Sequence, residues 1–372
     1  MSGAWGRIWE TLTLSAPARR LRRADRRGLS HADPGAEAAL AAMVRWLGRA
    51  QDRSDGGGFA SHFDLVRGWG APCPAASGLA ARTLLQAGDR WDDNAHRRRA
   101  VRGLEWLCRA QNADGGFGPE AGRPSSSHLT GQVLLGLVAG SDAGTGVQEA
   151  AARAARYLLD ASNPDGSWPG ERAQDTQIAW ALLEADSVMP GQGFAEAAQS
   201  GLRWALGRQR RNGWLADCCT DDVERPLTVH IGSAIHGFLQ CYRLTHVMRY
   251  LDAAVMAGWA LVAVQRRGDG SLPGRLDEKW EAAARWSSLS GDAQAAMCWM
   301  LLFEATKDQA FLSAARAANR FIRRTLPVSG GANAVGGVRG SFPVDGGYGR
   351  FRFLTLSAVH AIDSMMMELA LD

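Results

Sequence analysis

The stretch RGLEWLCRAQNADGGFG, residues 102–118, decides the fold. It reads as an amphipathic helix through Trp106 and Leu107 that stops abruptly at Asp114-Gly115-Gly116-Phe117. Glycines there supply positive-φ caps and turns, and the aromatic that follows packs the chain back onto the body. Nearly the same phrase recurs. Trp46 through Gln51 precedes DGGGF, and Tyr157 precedes NPDGSWPG. Weaker copies follow at Trp204 with Gln209, Trp259 with Gln265, and Phe321 with a later GSFP. The aromatic anchors fall 60, 51, 47, 55 and 62 residues apart, the signature of six repeats with variable loops.

Between successive copies lies a second helical run, at 75–87, 129–139, 175–185, 228–244, 290–305 and 355–371. These runs have sparse polar faces, as expected of helices buried all round, whereas the Trp/Gln runs carry many Arg and Glu on one solvated face. Six inner and six outer helices predict an all-α (α/α)6 toroid. We assign it to residues 31–372 as a single domain, preceded by a basic amphipathic segment over 1–30. Inner-to-outer links are short and chemically plain. Outer-to-inner links, roughly 52–74, 112–128, 163–174, 210–227, 266–289 and 325–354, are long and carry Trp, Arg, His and Asp. Long loops gathered on one rim of a rigid scaffold are where sites are built. These loops also surround the inner-helix N-termini, whose unpaired amides favour anionic groups.

Composition narrows the partners. The 372 residues are 46% apolar, enough for a packed core, and carry a formal charge of +4. Residues 1–27 hold seven Arg against Glu10 and Asp25, so the remaining body is nearly neutral. This excludes a duplex nucleic-acid binder, which needs a basic stripe across a folded face. The six cysteines show no CxxC spacing and read as reduced thiols. With no apolar leader and no run of 18 apolar residues, a cytoplasmic protein is expected. Trp5, Ile8, Trp9 and Leu12 form an apolar stripe ahead of the Arg cluster at 19–27. That segment fits peripheral contact with an anionic membrane, or a helix that caps the domain.

Arg102-Gly103, Trp106-Leu107, Gln111 and Gly115-Gly116-Phe117 fall at the spacings of the QW-type repeat and resemble the squalene cyclase and prenyltransferase superfamily. The DxDD proton-donor motif and the DDxxD diphosphate motif of that superfamily are absent. Its zinc enzymes open an inner helix with a ligand pair, whereas Asp217-Cys218-Cys219, the segment to set beside His360, falls in mid-loop. No metal and no cofactor is therefore expected. Across nearly the whole chain, stretches such as 226–240 (PLTVHIGSAIHGFLQ), 277–304 and 336–348 (GGVRGSFPVDGGY) look like a bacterial group of single-domain toroids associated with exopolysaccharide biosynthesis genes. That resemblance implies a glycan-related role. After Tyr348 the sequence GRFRFLTLSAVH departs from the group's pattern, which puts in doubt any chemistry that relatives perform there.

The candidate site residues follow from the rim. Arg67, Arg123, Arg275, Arg285, Arg339, Arg350 and Arg352 lie on long loops, near Trp69, Trp168, Trp214, Trp280 and Trp286. Guanidinium groups for carboxylates beside aromatic faces for pyranose rings suit a uronic-acid glycan. Trp69 and Trp286 fall outside the repeat phrase and are the better stacking candidates; Trp168 and Trp214 read as repeat packing. His128 and His230 stand at inner-helix starts. Asp175 and Asp292 do too, where each is read as a cap first. Gln132, Gln177 and Gln294 recur at matching positions and suit either sugar hydroxyls or helix-to-helix bonds. Abstraction of the C5 proton of a uronosyl residue would use Tyr348 or His230 as base and an Arg such as Arg285 to hold the carboxylate, with no cofactor. The expected partner is an anionic oligo- or polysaccharide or a lipid-linked glycan. A terpenoid cyclase without the usual acids, a glycoside hydrolase and a non-catalytic glycan-assembly scaffold are the alternatives.

Overall fold

The glutamine of the repeat phrase explains why the phrase recurs. In the computed structural model, which describes residues 14–29, 32–170, 172–219, 221–327 and 331–371, the Gln111 amide donates to the Gly115 carbonyl at 2.8 Å and to the Ala150 carbonyl at 2.9 Å. Gln51 spans Gly57 and Arg99, Gln209 spans Gly213 and Ala253, and Gln265 spans Gly270 and Ala314 in the same way. One amide thus closes its own turn and ties it to the next outer helix. Each such turn also carries a positive-φ glycine against that helix. A Cβ on Gly115 (φ 86°) would lie 2.6 Å from the Arg153 carbonyl oxygen. The corresponding glycines at 57, 166, 213 and 270 likewise meet the backbone of the following outer helix.

These joints organise thirteen α-helices among the described residues. After α1 (Ala16–Asp25), the outer helices are α2 (Ala36–Asp52), α4 (Asn94–Ala110), α6 (Thr145–Asp160), α8 (Phe194–Gly207), α10 (Met248–Val264) and α12 (Gln309–Thr325). The inner helices are α3 (Pro74–Trp91), α5 (Ser127–Ala139), α7 (Thr176–Val188), α9 (Thr228–Thr245), α11 (Leu289–Thr306) and α13 (Thr355–Leu371). Each inner helix packs on the next, and α13 returns to α3, so the ring is closed. Each outer helix packs on the inner helix before it, with α2 resting on α13. The expected toroid is the observed fold. Its core is continuous and includes fully buried Trp46, Trp180 and Trp299.

The long-loop rim is stitched by two small antiparallel sheets. β1 (His62–Asp64) pairs with both β2 (Gly68–Trp69) and β5 (Arg352–Leu354), setting Phe63 opposite Trp69 and Phe353. β3 (Ser287–Ser288) pairs with β4 (Ser341–Phe342). Helix α1 docks on this rim. Leu14 and Ala18 bury against Val344 and Phe351, and buried Asp25 accepts the Val344 amide at 2.8 Å and pairs with buried Arg339 at 3.3 Å. The apolar side of α1 is therefore committed to the rim, while Arg20, Arg23 and Arg27 are exposed. Trp5, Ile8, Trp9 and Leu12 lie outside the described residues. No described helix is long and apolar enough to cross a membrane.

The last joint closes the ring: a Cβ on Gly336 (φ 78°) would lie 2.2 Å from the carbonyl oxygen of Ala42 in α2. Gly191 (φ 77°) has the same backbone but nothing within 4 Å. Gly191→Ala is expected to lose only the left-handed penalty, about 1–2 kcal/mol. Gly336→Ala should lose a further ~1–3 kcal/mol from overpacking. Thermal or urea unfolding of the two variants checks the difference.

Candidate functional site

Three consecutive inner helices bring their N-terminal residues together at the mouth of the ring. His128 opens α5, Asp175 directly precedes α7, and His230 lies in the first turn of α9. Asp175 makes no capping bond to α7. Its Oδ1 instead lies 3.0 Å from His128 Nδ1, and because a carboxylate only accepts, that nitrogen is the donor. Nε2 of His128 is thereby left as the basic nitrogen, 3.3 Å from the Gln132 amide one turn along. Burial, together with neighbouring His128, pushes His230 down to about 4.

The loop between α8 and α9 completes this side of the mouth. The Cys219 thiol lies 2.6 Å from Asp221 Oδ1 and 3.0 Å from His230 Nδ1. Arg275, from the loop before α11, pairs with the other oxygen of Asp221 and donates to the Arg225 carbonyl at 2.6 Å. Arg172, three residues before Asp175, adds positive potential at His230 and has no carboxylate partner among the described residues. With Arg275 paired to Asp221, Arg172 is the guanidinium of this group left without a carboxylate partner among the described residues.

The remaining sequence candidates are distributed differently. Asp292, the other expected cap, is fully buried; Ser288 caps α11 instead. Asp292 Oδ1 accepts the Leu272 amide at 2.7 Å, Oδ2 has no partner, and burial holds the carboxyl well above its ordinary range. Gln294 reaches His360 Nε2 at 3.0 Å across to α13, with Ser290 on the other ring nitrogen at 2.6 Å, so this glutamine serves as a helix-to-helix bond. The Gln177 carbonyl oxygen is buried without a partner. Burial raises the Tyr348 phenol to about 12, which makes it a poor base near neutrality, against the role expected of it. Trp286 is clasped by Gly274, Gly346 and Gly347, where any Cβ would meet its ring. Trp69 packs against Trp46 at 5.3 Å and Phe63 at 5.2 Å, so both tryptophans help build the rim. Arg67, Arg285 and Arg350 are exposed, the last beside the Phe351 ring. Arg339 and Arg352 are taken up by Asp25 and Asp64. Asp217 pairs with Arg208 at 3.5 Å and Cys218 is fully buried, so neither joins His360.

Sequence reasoning missed Arg172 and the opposite end of the barrel. There a cavity of about 330 Å³ is lined by Arg82, His236, Gln240, Arg243, Glu304 and Asp363 among methionines. The available signal was charge inside helices that are otherwise apolar all round. Arg82 lies over the Trp180 ring at 4.7 Å, and Thr83 donates to Asp363 at 2.7 Å.

No family model and no curated protein matches this chain. Solved structures do. An unsaturated glucuronyl hydrolase specific for heparin is 14% identical, with a TM-score of 0.75 over 91% of this chain and 98% of that one. The cellobiose 2-epimerase from Bacillus thermoamylovorans B4167 is 12% identical, with a TM-score of 0.71 over 89% and 98%. A D-mannose isomerase is 13% identical, with a TM-score of 0.72 over 91% and 97%. These likenesses establish the α/α-toroid class of the fold.

Burial raises Asp363 from 3.8 to about 6. The native state therefore holds its proton more tightly than the unfolded chain, and stability from this group is lost as pH rises through that interval. Asp363→Asn should match the parent near the lower bound and gain melting temperature relative to it up to about pH 6, then keep a constant advantage. Thermal melts across that range check it, and a flat difference would refute the assignment.

Proposed function

We propose that this protein modifies an anionic saccharide, a uronic-acid-containing oligosaccharide or its lipid-linked precursor, by moving the proton at C5 of a uronosyl residue. The observation that carries the reading is the His128–Asp175 dyad at the mouth of the ring beside Arg172 and Arg275. His128 Nε2 accepts the C5 proton while Asp175 stabilises the imidazolium that forms, and a guanidinium holds the carboxylate as it takes on enolate charge. Redelivery of a proton to the opposite face yields the C5 epimer. Loss of the O4 substituent instead yields a 4,5-unsaturated uronyl end. The base role moves to His128 from Tyr348, whose phenol is too costly to ionise, and from His230, whose Nδ1 faces the Cys219 sulfur, and the carboxylate role moves from exposed Arg285 to Arg172.

Toroids similar in fold include proteins described as an unsaturated glucuronyl hydrolase and a cellobiose 2-epimerase, which supports saccharide chemistry at this mouth. Fold alone does not assign a reaction, so the dyad carries the weight. Hydrolysis by paired carboxylates is less well supported. Asp175 is bound to His128, Asp292 to the Leu272 amide and Asp345 to Arg26. Action in the cytoplasm during surface-polysaccharide synthesis, with peripheral membrane contact through residues 1–27, belongs to the same proposal.

Uronate oligosaccharides incubated with the protein in D₂O and followed by proton NMR and mass spectrometry should gain deuterium at C5 or an unsaturated end. His128→Gln and Asp175→Asn should slow that change by about 10²–10⁴-fold. Arg172→Ala should weaken binding of uronate but not of neutral glycans. Exchange that is unaltered in His128→Gln, or no exchange with any uronate, would overturn the reading.

A further inference from the structure

Cys219, Asp221 and His230 each offer one ligand atom, and these atoms lie within 4.8 Å of one another. A thiolate, a carboxylate and an imidazole are the donor mix that zinc takes, with three protein ligands and an open fourth position in catalytic sites. We propose that these three residues form a zinc site at the mouth of the ring.

The geometry of each donor supports this. Cys219 is 2% exposed and points its sulfur between the other two, 2.6 Å from Asp221 Oδ1 and 3.0 Å from His230 Nδ1. Tetrahedral zinc with bonds of about 2.3 Å to sulfur and 2.0–2.2 Å to nitrogen and oxygen sets its ligands roughly 3.5 Å apart. The side chains therefore need to open by less than an ångström in one case and about half that in the other. Asp221 presents Oδ1 to the site while Oδ2 is held by Arg275, the outer hydrogen bond that orients a ligating carboxylate. Thiolate and carboxylate together neutralise a divalent ion; the Cys219 thiol gives up its proton on binding, so the occupied site is neutral and the net charge beside Arg172 and Arg275 rises by one.

The likeness to zinc enzymes sets Asp217, Cys218 and Cys219 beside His360; Asp217 pairs with Arg208, Cys218 is fully buried and His360 is held by Ser290, so of that set Cys219 alone belongs to this site. The ligands assigned here are a Cys-x-Asp pair in the loop and a histidine in the first turn of the following helix. This proposal does not rest on the uronyl reading. Metal binding is read directly, with no substrate present.

The test is titration of the chelator-stripped full-length protein with cobalt(II) under anaerobic conditions. One equivalent should produce a thiolate-to-cobalt charge-transfer band in the near ultraviolet and the intense visible bands of four-coordination, and zinc should displace it. Cys219→Ser should abolish the charge-transfer band, and Arg275→Ala should weaken binding by about 10- to 100-fold. Cys108→Ser, which alters a partly exposed thiol away from the site, should change nothing. X-ray absorption of the zinc-loaded parent needs no variant and should find one sulfur near 2.3 Å with the remaining ligands nitrogen or oxygen. A charge-transfer band that survives in Cys219→Ser, a shell without sulfur, or no stoichiometric binding by the parent would each overturn the assignment.

Discussion

The close contact between a left-handed glycine and the backbone of the next outer helix is the constraint on which the rest of the protein depends. It occurs at Gly57, Gly115, Gly166, Gly213, Gly270 and Gly336, once in each of the six repeats. No side chain fits there, so the spacing between neighbouring outer helices is set by main-chain atoms rather than by an adjustable core. In four of the repeats a glutamine amide bonds both sides of the joint, so the carbonyl of the turn and that of the helix are satisfied by one group.

That rigidity on the outside is what allows irregular chain at the mouth. The segments that leave each joint reach the start of an inner helix, and their lengths vary freely because the joint has already fixed the ring. His128, Asp175 and His230 come from three different loops, yet each sits at the start of a helix whose direction the ring dictates. Imidazoles and carboxylates held this way keep their relative positions without depending on loop packing. On the far side of the same mouth, Trp286 between Gly274 and Gly346-Gly347, and buried Asp25 with Arg339, lock loops that would otherwise move independently.

The periodic half of this arrangement was legible in the sequence, because anchors such as Trp46, Trp106 and Trp204 and their following glutamines recur at the spacing of a helix-hairpin repeat. The positions of His128, His230 and Asp175 were legible too, since helix starts can be read from pattern. Their partners were not. Asp175 has the residue type and position of a cap, and only the neighbouring α5 reveals that it serves an imidazole. Arg285 and Tyr348 look chemically apt, but exposure of one and the desolvated phenol of the other are properties of the assembled rim. Asp363 and Arg82 went unread because period and composition mark α13 and α3 simply as inner helices, and a cavity between their far ends leaves no local trace.

The return of α2 onto α13 gives the molecule a topology unlike that of open repeat arrays. A solenoid has terminal units whose exposed faces must be specialised, and its units can fray or form one after another. Here every unit has two neighbours, and the first outer helix is completed only by the last inner one. An arc short of the full circle leaves an apolar face at each end, and the packing of the first outer helix on the last inner one covers both at once.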